Sequence, residues 1–477
     1  MNNTKEKYQY LAEIHLFTLN GTCFAFMPCT LKLFELDHQT YNHLMQLSEK
    51  YGTRKPFVCR DEALISSGLI YEADESQHEI FKQTTAAMSR EHIANIINPP
   101  ITNIVLQIAN DCNLNCIYCY GDGGSYGRQR ELMSLDTAKK AIDYMVTNSE
   151  GIDNLLVTFF GGEPLMNFDV VKGALNYCKS IERSTKKTFS FSMTTNGTIL
   201  TDEIFDFIKD NKVSVMISMD GGEKLQNKHR CYCDGRGSFD DIKKNIERFK
   251  EARGGHLTAR ATVCRTDIRF KEIKDDLLAL GFTNAVTSIV DTSEDSPLFV
   301  GNEYTDSVLE QYQILADDYV KSTIQGKHVY NNLFSEVLNR LYFKIMKERS
   351  CNAGNNGLAI GTDGNLYPCH RFMGMPEYII GDLEHGINET QRSNYRKATI
   401  YEKEDCKNCW CRYLCSGGCA HTAAVHGGDV FHAPECYCDL YKGLYEILLH
   451  TYWRLKEWDD DIFRKTLEKS EKAVNTL

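Results

Sequence analysis

Along the chain, apolar and polar positions keep three different rhythms. Residues 10 to 35, YLAEIHLFTLNGTCFAFMPCTLKLFE, run as short alternating segments with a turn signal at Asn20-Gly21, the pattern of a small antiparallel sheet. The stretch DHQTYNHLMQLSEKYG predicts a helix entered through Asp37 and closed by Gly52, and RDEALISSGLIYEAD predicts a further helix and strand. This order over about 85 residues is that expected of a winged-helix module. From 101 to 290 the period alternates between two and 3.6. ITNIVLQIA, NLLVTFF, FSFSMTT, VSVMISM, HLTARATV and FTNAVTSIV predict six strands, with helices such as SLDTAKKAIDYMVTN and SFDDIKKNIERFKEA between the earlier ones. The fold class is therefore α/β: six strand-helix repeats predict a parallel sheet curved into a partial (β/α)6, TIM-like barrel, with its chemistry on loops leaving the C-terminal strand ends. Residues 303 to 349 read as connecting helices. Residues 351 to about 445 lose periodicity and are rich in Cys and Gly, and from about Leu440 a polar helical tail is expected. The expected units are thus 1–90, 100–300, 301–350, 351–445 and 446–477.

Composition narrows the class. At 477 residues, 42% hydrophobic and 25% charged, the chain can bury two or three cores. No apolar run is long enough to span a bilayer, so no membrane partner is expected. The opening MNNTKEKYQYLAE lacks the charged-then-apolar order of a signal peptide, which predicts a cytoplasmic location. A net charge of -11 argues against nucleic acid, whose binders need surplus Lys and Arg to displace counterions. The basic stretch RSTKK at 183–187 reads as a solvated face. Nineteen cysteines in a reducing compartment point to metal or catalysis rather than disulfides. Cys23, Cys29, Cys59, Cys178 and Cys264 lie among apolar residues and read as small buried hydrophobes.

The remaining cysteines cluster. DCNLNCIYCY, residues 111–120, sets Cys112, Cys116 and Cys119 directly after the first predicted barrel strand. Three thiolates do not close a structural zinc site without a distant fourth ligand, whereas a four-iron cube held by three keeps one iron free. Both readings stand for the cysteines alone. With the barrel around it, Cys-x3-Cys-x2-Cys resembles the radical SAM superfamily. That resemblance implies a 4Fe-4S cluster whose unique iron chelates the amino and carboxylate groups of S-adenosylmethionine, with the ring of Tyr118 beside the adenine. Gly161, Gly162, Glu163 and Pro164, the GGEP after the second strand, match the place where the family holds the methionine ammonium, although such a stretch is also an ordinary turn. SMTTNG (192–197) and ISMDGG (217–222) fall at strand ends. There the resemblance gives Ser218 to the cofactor ribose or carboxylate and Arg230 to the cofactor pocket; a strand-end cap and a surface charge are the plainer alternatives. The chemistry implied is homolysis of the sulfonium bond and hydrogen abstraction by a 5′-deoxyadenosyl radical.

Downstream, CKNCWCRYLCSGGC spaces Cys406, Cys409, Cys415 and Cys419 as Cys-x2-Cys-x5-Cys-x3-Cys, after Cys351 and the DGNLYPC that ends in Cys369. This series resembles the SPASM extension of radical SAM peptide-modifying enzymes, in which two auxiliary four-iron clusters are bound. By that resemblance Cys406, Cys409, Cys415 and Cys438 hold one cluster and Cys351, Cys369 and Cys419 the other, with Cys436 a competitor of Cys438. No cysteine lies between 351 and 369, so the second cluster would carry an open iron. A zinc ribbon is the alternative; Cys231, Cys233 and Cys411 stay unassigned.

The N-terminal module resembles the recognition element with which maturases of ribosomal peptides grip a leader sequence. Taken together, the three regions resemble thioether-forming maturases of the sactipeptide, ranthipeptide and SCIFF type. The implied partners are a cysteine-containing precursor peptide and an electron donor such as flavodoxin or ferredoxin; the implied cofactors are three 4Fe-4S clusters and S-adenosylmethionine. An anaerobic sulfatase-maturating enzyme, a carbon-carbon crosslinking maturase and a non-catalytic iron-sulfur or zinc scaffold are the competing readings.

Overall fold

The computed structural model describes residues 8–53, 55–73, 99–327 and 332–476. In it the alternating start of the chain forms β1 (Tyr8–Leu11), β2 (His15–Leu19), β3 (Thr22–Met27), β4 (Lys32–Leu36) and β5 (Ile70–Ala73). β2, β3 and β4 make an antiparallel meander, and β1 pairs antiparallel with β5. Asn20 and Gly21 join β2 to β3 at φ of +52° and +81°, the left-handed pair that a two-residue hairpin needs. The helix His38–Tyr51 is capped by Asp37, which accepts from the Thr40 amide at 2.8 Å, and ends at Gly52. The predicted end of this module at residue 90 lies outside the described residues.

The module is fused to the rest of the chain rather than tethered to it. Successive side chains of β3 point to opposite faces, so Phe24 and Phe26 join the large core while Ala25 and Met27 close a small one with Leu11, Leu44, Leu64 and Ile70.

All six expected barrel strands form. β6 (Asn103–Ala109) is followed by β7 (Leu114–Cys116), β8 (Asn154–Gly161), β9 (Thr188–Thr195), β10 (Ser214–Ser218), β11 (Arg230–Tyr232), β12 (Thr258–Val263) and β13 (Asn284–Ile289). The sheet order is β13-β12-β10-β9-β8-β6, parallel throughout. β7 and β11 stand outside it as a short antiparallel pair. The barrel stays open, because β14 (Gly357–Ile360) adds parallel to β6 and leads into β15 (Asn365–Tyr367), β16 (Gly381–Asp382) and β17 (Gly386–Ile387). The cysteine-rich region is thus a continuation of the barrel sheet, ten strands in all.

One expectation is overturned. The polar tail is a core element: a helix runs unbroken over Glu435–Trp458, across the expected boundary at 445, and buries Leu440, Leu444, Ile447, Leu448 and Leu455. These fall at i, i+4, i+7, i+8 and i+15, so they share one face, and that face packs on the helix Thr305–Ile324 and on β2. Charged residues such as Asp439, Lys442 and Glu446 between them conceal the stripe in a linear reading. The final helix, Asp460–Thr476, docks through the buried Phe463 and Leu467. Among the described residues no helix is long and apolar enough to cross a membrane.

Candidate functional site

The loop after β6 carries Cys112, Cys116 and Cys119 to the mouth of the barrel, where all three line a cavity of about 520 Å³. Two glycines explain how the loop is seated. A Cβ on Gly161 would lie 2.5 Å from the Ala109 carbonyl oxygen, and one on Gly162 only 2.1 Å from that of Asp111. No other residue lets the end of β8 lie against the backbone that leads into the cysteines.

The β7–β11 register sets Cys116 opposite Arg230. Arg230 is buried and donates from Nη1 to the Tyr118 hydroxyl at 2.8 Å, which donates in turn to Asp220 Oδ2 at 2.7 Å. Asp220 is wholly buried and also accepts from the Thr262 amide. Tyr118, Ser218 and Arg230 therefore face the same cavity as the three cysteines, with Ser218 paired in register to Arg260 of β12. Asn196, within SMTTNG, places its amide 3.8 Å from Cys112 Sγ and 2.7 Å from Asn113 Oδ1.

Glu163 and Pro164 lie elsewhere. The Glu163 carboxylate is fully buried, accepting from the Asn196 amide at 2.7 Å, the Thr195 hydroxyl at 2.8 Å and the Leu165 amide at 3.0 Å. Burial pushes this carboxyl up and the three donors oppose the shift. In this arrangement Glu163 ties β8 to β9 and caps the 3₁₀ turn that Pro164 opens, outside the cavity lining.

Three lining residues had no signal in the motifs. Arg260 and Arg371 make the far wall cationic, and Asp291, just past β13, holds Arg371 at 2.8 Å. The Asp291 carboxylate also accepts from the Thr422 hydroxyl at 2.8 Å, and lies 3.1 Å from His426 Nε2 and 3.5 Å from His421 Nδ1. Although burial would raise it, these hydrogen bonds and the Arg371 charge hold it well below the usual carboxylate range. The guanidinium of Arg371 also sits 4.9 Å from the Tyr120 ring centroid.

The later cysteines gather in two sets. Cys406, Cys409, Cys415 and Cys438 line a separate cavity of about 390 Å³, together with Cys411. Cys409 and Cys411 have sulfurs 3.4 Å apart, so one proton shared between them favours thiolate on Cys409. Cys369 neighbours Cys419 and Cys351: burial pushes its thiol up to about 12, and those two push the same way. Lys403, buried between the sets, feels Cys406, Cys415, Cys419 and Cys351 alike and donates to the Gly417 carbonyl at 2.8 Å. Cys436 is absent from the walls of either cavity. On the helix Glu435–Trp458 it lies about 200° around the axis from Cys438, so the two thiols leave on opposite faces.

Residues 106–277 match the radical SAM superfamily model. The barrel is a radical SAM domain. Residues 351–410 match the SPASM iron-sulfur cluster-binding domain. Among curated proteins, the radical SAM cyclopropyl synthase TigE of Paramaledivibacter caminithermalis is 26% identical over 404 residues, 80% of each chain. The cysteine-type anaerobic sulfatase-maturating enzyme of Clostridium novyi is 24% identical over 72% of this chain and 94% of its own. Among solved structures, anSMEcpe with bound AdoMet superposes with a TM-score of 0.66 at 18% identity, over 78% of this chain and 98% of that one. Streptococcus suis SuiB bound to precursor peptide SuiA gives 0.53 at 15% identity, over 90% and 99%.

A radical SAM domain with a SPASM extension implies 4Fe-4S clusters and S-adenosylmethionine, and the donor sets of this chain fit them. All nineteen cysteines are free thiols. Burial pushes Cys112 up to about 12, raises Cys116, and pushes Cys406 up to about 12 and Cys415 to about 11. Such thiols give up their protons readily only to a metal. The first cavity offers three cysteines with room and cationic walls beside them; the second offers five sulfurs.

Proposed function

We propose that this radical SAM enzyme acts in the cytoplasm on a ribosomally synthesised precursor peptide, joining a cysteine sulfur to a substrate carbon as a thioether. One observation carries the reading. Cys351 and Cys419 lie near enough to Cys369 to raise its thiol, and His370 and Arg371, next to Cys369 in the chain, line the barrel cavity, while Cys411 lines the other sulfur cavity and Cys436 lines neither. A set of three leaves room for a fourth thiolate, which a substrate cysteine can supply.

In this reading Cys112, Cys116 and Cys119 would hold the first cluster, Cys406, Cys409, Cys415 and Cys438 the second, and Cys351, Cys369 and Cys419 the third. When bound, S-adenosylmethionine and its cluster supply a 5′-deoxyadenosyl radical that takes one hydrogen atom from a substrate carbon. The protein positions the partners. Arg230, fixed by Tyr118 and Asp220, sets the cationic wall beside Cys116, where a cofactor carboxylate gains a charge-assisted partner. Arg371, fixed by Asp291, offers a second such partner on the far side, for a backbone carbonyl or carboxylate of the peptide. The crosslink breaks one S–H and one C–H bond and forms one C–S bond; beyond the abstracted hydrogen, one proton and one electron leave, the electron to a ferredoxin or flavodoxin. β4, an edge strand of the meander, suits pairing with an extended leader, and tethering the leader raises the local concentration of the core.

The cyclopropyl synthase relative, matched over 80% of each chain, favours carbon-carbon bond formation as a second reading. Anaerobic reconstitution with a cysteine-containing precursor separates the two. A thioether product loses two hydrogens and one alkylatable thiol per link. A product that loses two hydrogens with every thiol still alkylatable establishes the carbon-carbon reading, and an aldehyde trapped by a hydrazine establishes a formylglycine.

A further inference from the structure

The cysteine left over by both sulfur sets has company of its own. Cys436 Sγ, an imidazole nitrogen of His426 and a carboxylate oxygen of Glu294 all lie within 4.8 Å of one another. The three come from separate elements: Glu294 from the loop after β13, His426 from the helix Ala420–Gly427 and Cys436 from the first turn of the helix Glu435–Trp458.

The imidazole is oriented as a metal ligand would be. Its side chain is 4% exposed, and Nε2 lies 3.1 Å from Asp291 Oδ1, a carboxylate already held by Arg371 and Thr422. A proton on Nε2 donated to Asp291 leaves Nδ1 with its lone pair facing Glu294 Oε1 at 3.6 Å. That separation is long for a hydrogen bond, yet it is the spacing of two ligands on one tetrahedral ion, roughly 3.3–3.8 Å for bonds of 2.0–2.3 Å. A carboxylate behind a histidine, fixing its tautomer and raising its basicity, is the usual outer partner of a metal-bound imidazole.

We propose that Glu294, His426 and Cys436 form a mononuclear zinc site, distinct from the iron-sulfur sites, that pins the loop leaving the last barrel strand to the helix bearing Cys438. One thiolate, one imidazole and one carboxylate are a zinc donor set rather than a calcium or magnesium one. Glu294 is exposed, with a side chain 61% accessible, so a water completes four-coordination from solvent. Asp291 then serves two neighbours at once, the zinc-bound His426 and the Arg371 of the barrel cavity, and the site braces the cavity wall without touching substrate.

The test uses the full chain carrying its iron-sulfur clusters, titrated anaerobically with buffered zinc, with zinc, iron and labile sulfide counted on the same sample. One zinc per chain is expected, with an X-ray absorption spectrum showing a single sulfur among nitrogen and oxygen ligands. Cys436→Ser should lose that zinc while keeping its iron and sulfide, and Glu294→Gln, a surface change that leaves folding intact, should weaken zinc binding by about tenfold or more. Equal zinc uptake by wild type and both variants, or none by wild type, overturns the site. Loss of about four irons in Cys436→Ser overturns it too, by placing that thiol on a cluster.

Discussion

The two sulfur-lined cavities differ in what surrounds the sulfur. At the barrel mouth three thiols share a cavity of about 520 Å³ with Tyr118, Ser218, Arg230, Arg260 and Arg371; in the SPASM region five thiols crowd a cavity of about 390 Å³, with Asp405, Arg412, Glu435, Asp439 and Lys442 among its charged lining residues. The first has fewer sulfurs than a cluster has corners, and the space beside them is walled by groups that recognise anions. The second has sulfurs enough to close every corner. On the proposed reading that contrast separates a site that admits a small molecule from one that holds a cluster alone. It follows from local sequence: three cysteines within eight residues on a loop, against Cys406 and Cys415 on two short helices, Cys409 and Cys411 in the turn between them, and Cys438 on a long helix.

The largest expected effect breaks the first cavity. Changing Cys112, Cys116 and Cys119 together to Ala should remove about four irons per chain and take 5′-deoxyadenosine formation below detection, while the SPASM irons stay. Persistent cofactor cleavage would put the chemistry on other cysteines and erase the contrast. Cys438→Ala should do the reverse, losing about four irons and most peptide processing but retaining measurable cofactor cleavage. Its complete loss of cleavage would show that the second cavity does more than hold a cluster.

A smaller change probes the recognising wall. Tyr118→Phe removes the hydroxyl that bridges Arg230 and Asp220, both buried. Leaving buried partners unsatisfied costs about 1–3 kcal/mol, so S-adenosylmethionine should bind roughly tenfold or more weakly, with iron content unchanged. Equilibrium binding to the reconstituted variant measures this, and unaltered affinity would mean that the wall does not hold the cofactor.

How much of this was legible before the fold depends on whether the signal was local. The six barrel strands were, because alternation, length and flanking turns are all properties of a few neighbouring residues. So was the doubled glycine before Glu163, although its reason, a close approach to Ala109–Asp111, is tertiary. Glu163 shows the limit: an acid in a turn motif reads as a ligand group until its donors from Thr195 and Asn196 are seen to occupy it. Arg260, Arg371 and Asp291 are single charges far apart in the chain, and only strand order brings them to one wall. A helix beneath Cys436 and Cys438 sends their thiols to opposite faces, since two residues are slightly more than half a turn. Which face meets the other sulfurs is tertiary: the cavity lining includes Cys438 and not Cys436. In sequence that helix reads as a polar tail because its apolar stripe is interleaved with charges.

The smallest effect tests whether the helix carrying Cys438 is a rigid part of the core at its other end. His450 is 5% exposed there, with its ring 5.7 Å from that of Trp453 and 5.8 Å from that of Phe24 in β3. Burial, with Arg454 adding to it and Asp317 opposing, lowers its pKa to about 4 from an ordinary 6.5. The folded chain therefore keeps His450 neutral where the unfolded chain protonates it. The unfolded state then binds more protons below pH 6.5, so stability falls as pH drops from about 6.5 toward 4 and levels off below. Between pH 8 and pH 6, a range gentle to iron-sulfur clusters, the loss from this one group is about 0.8 kcal/mol, a melting shift of about 1 °C in a chain of this size. His450→Phe should melt with a pH dependence flatter by that amount, compared side by side with the wild type on cluster-loaded protein. An identical pH dependence in the two would mean that the imidazole meets water in the folded state, and that the seam between the helix Glu435–Trp458 and β3 is looser than the sulfur cavity at the helix's other end.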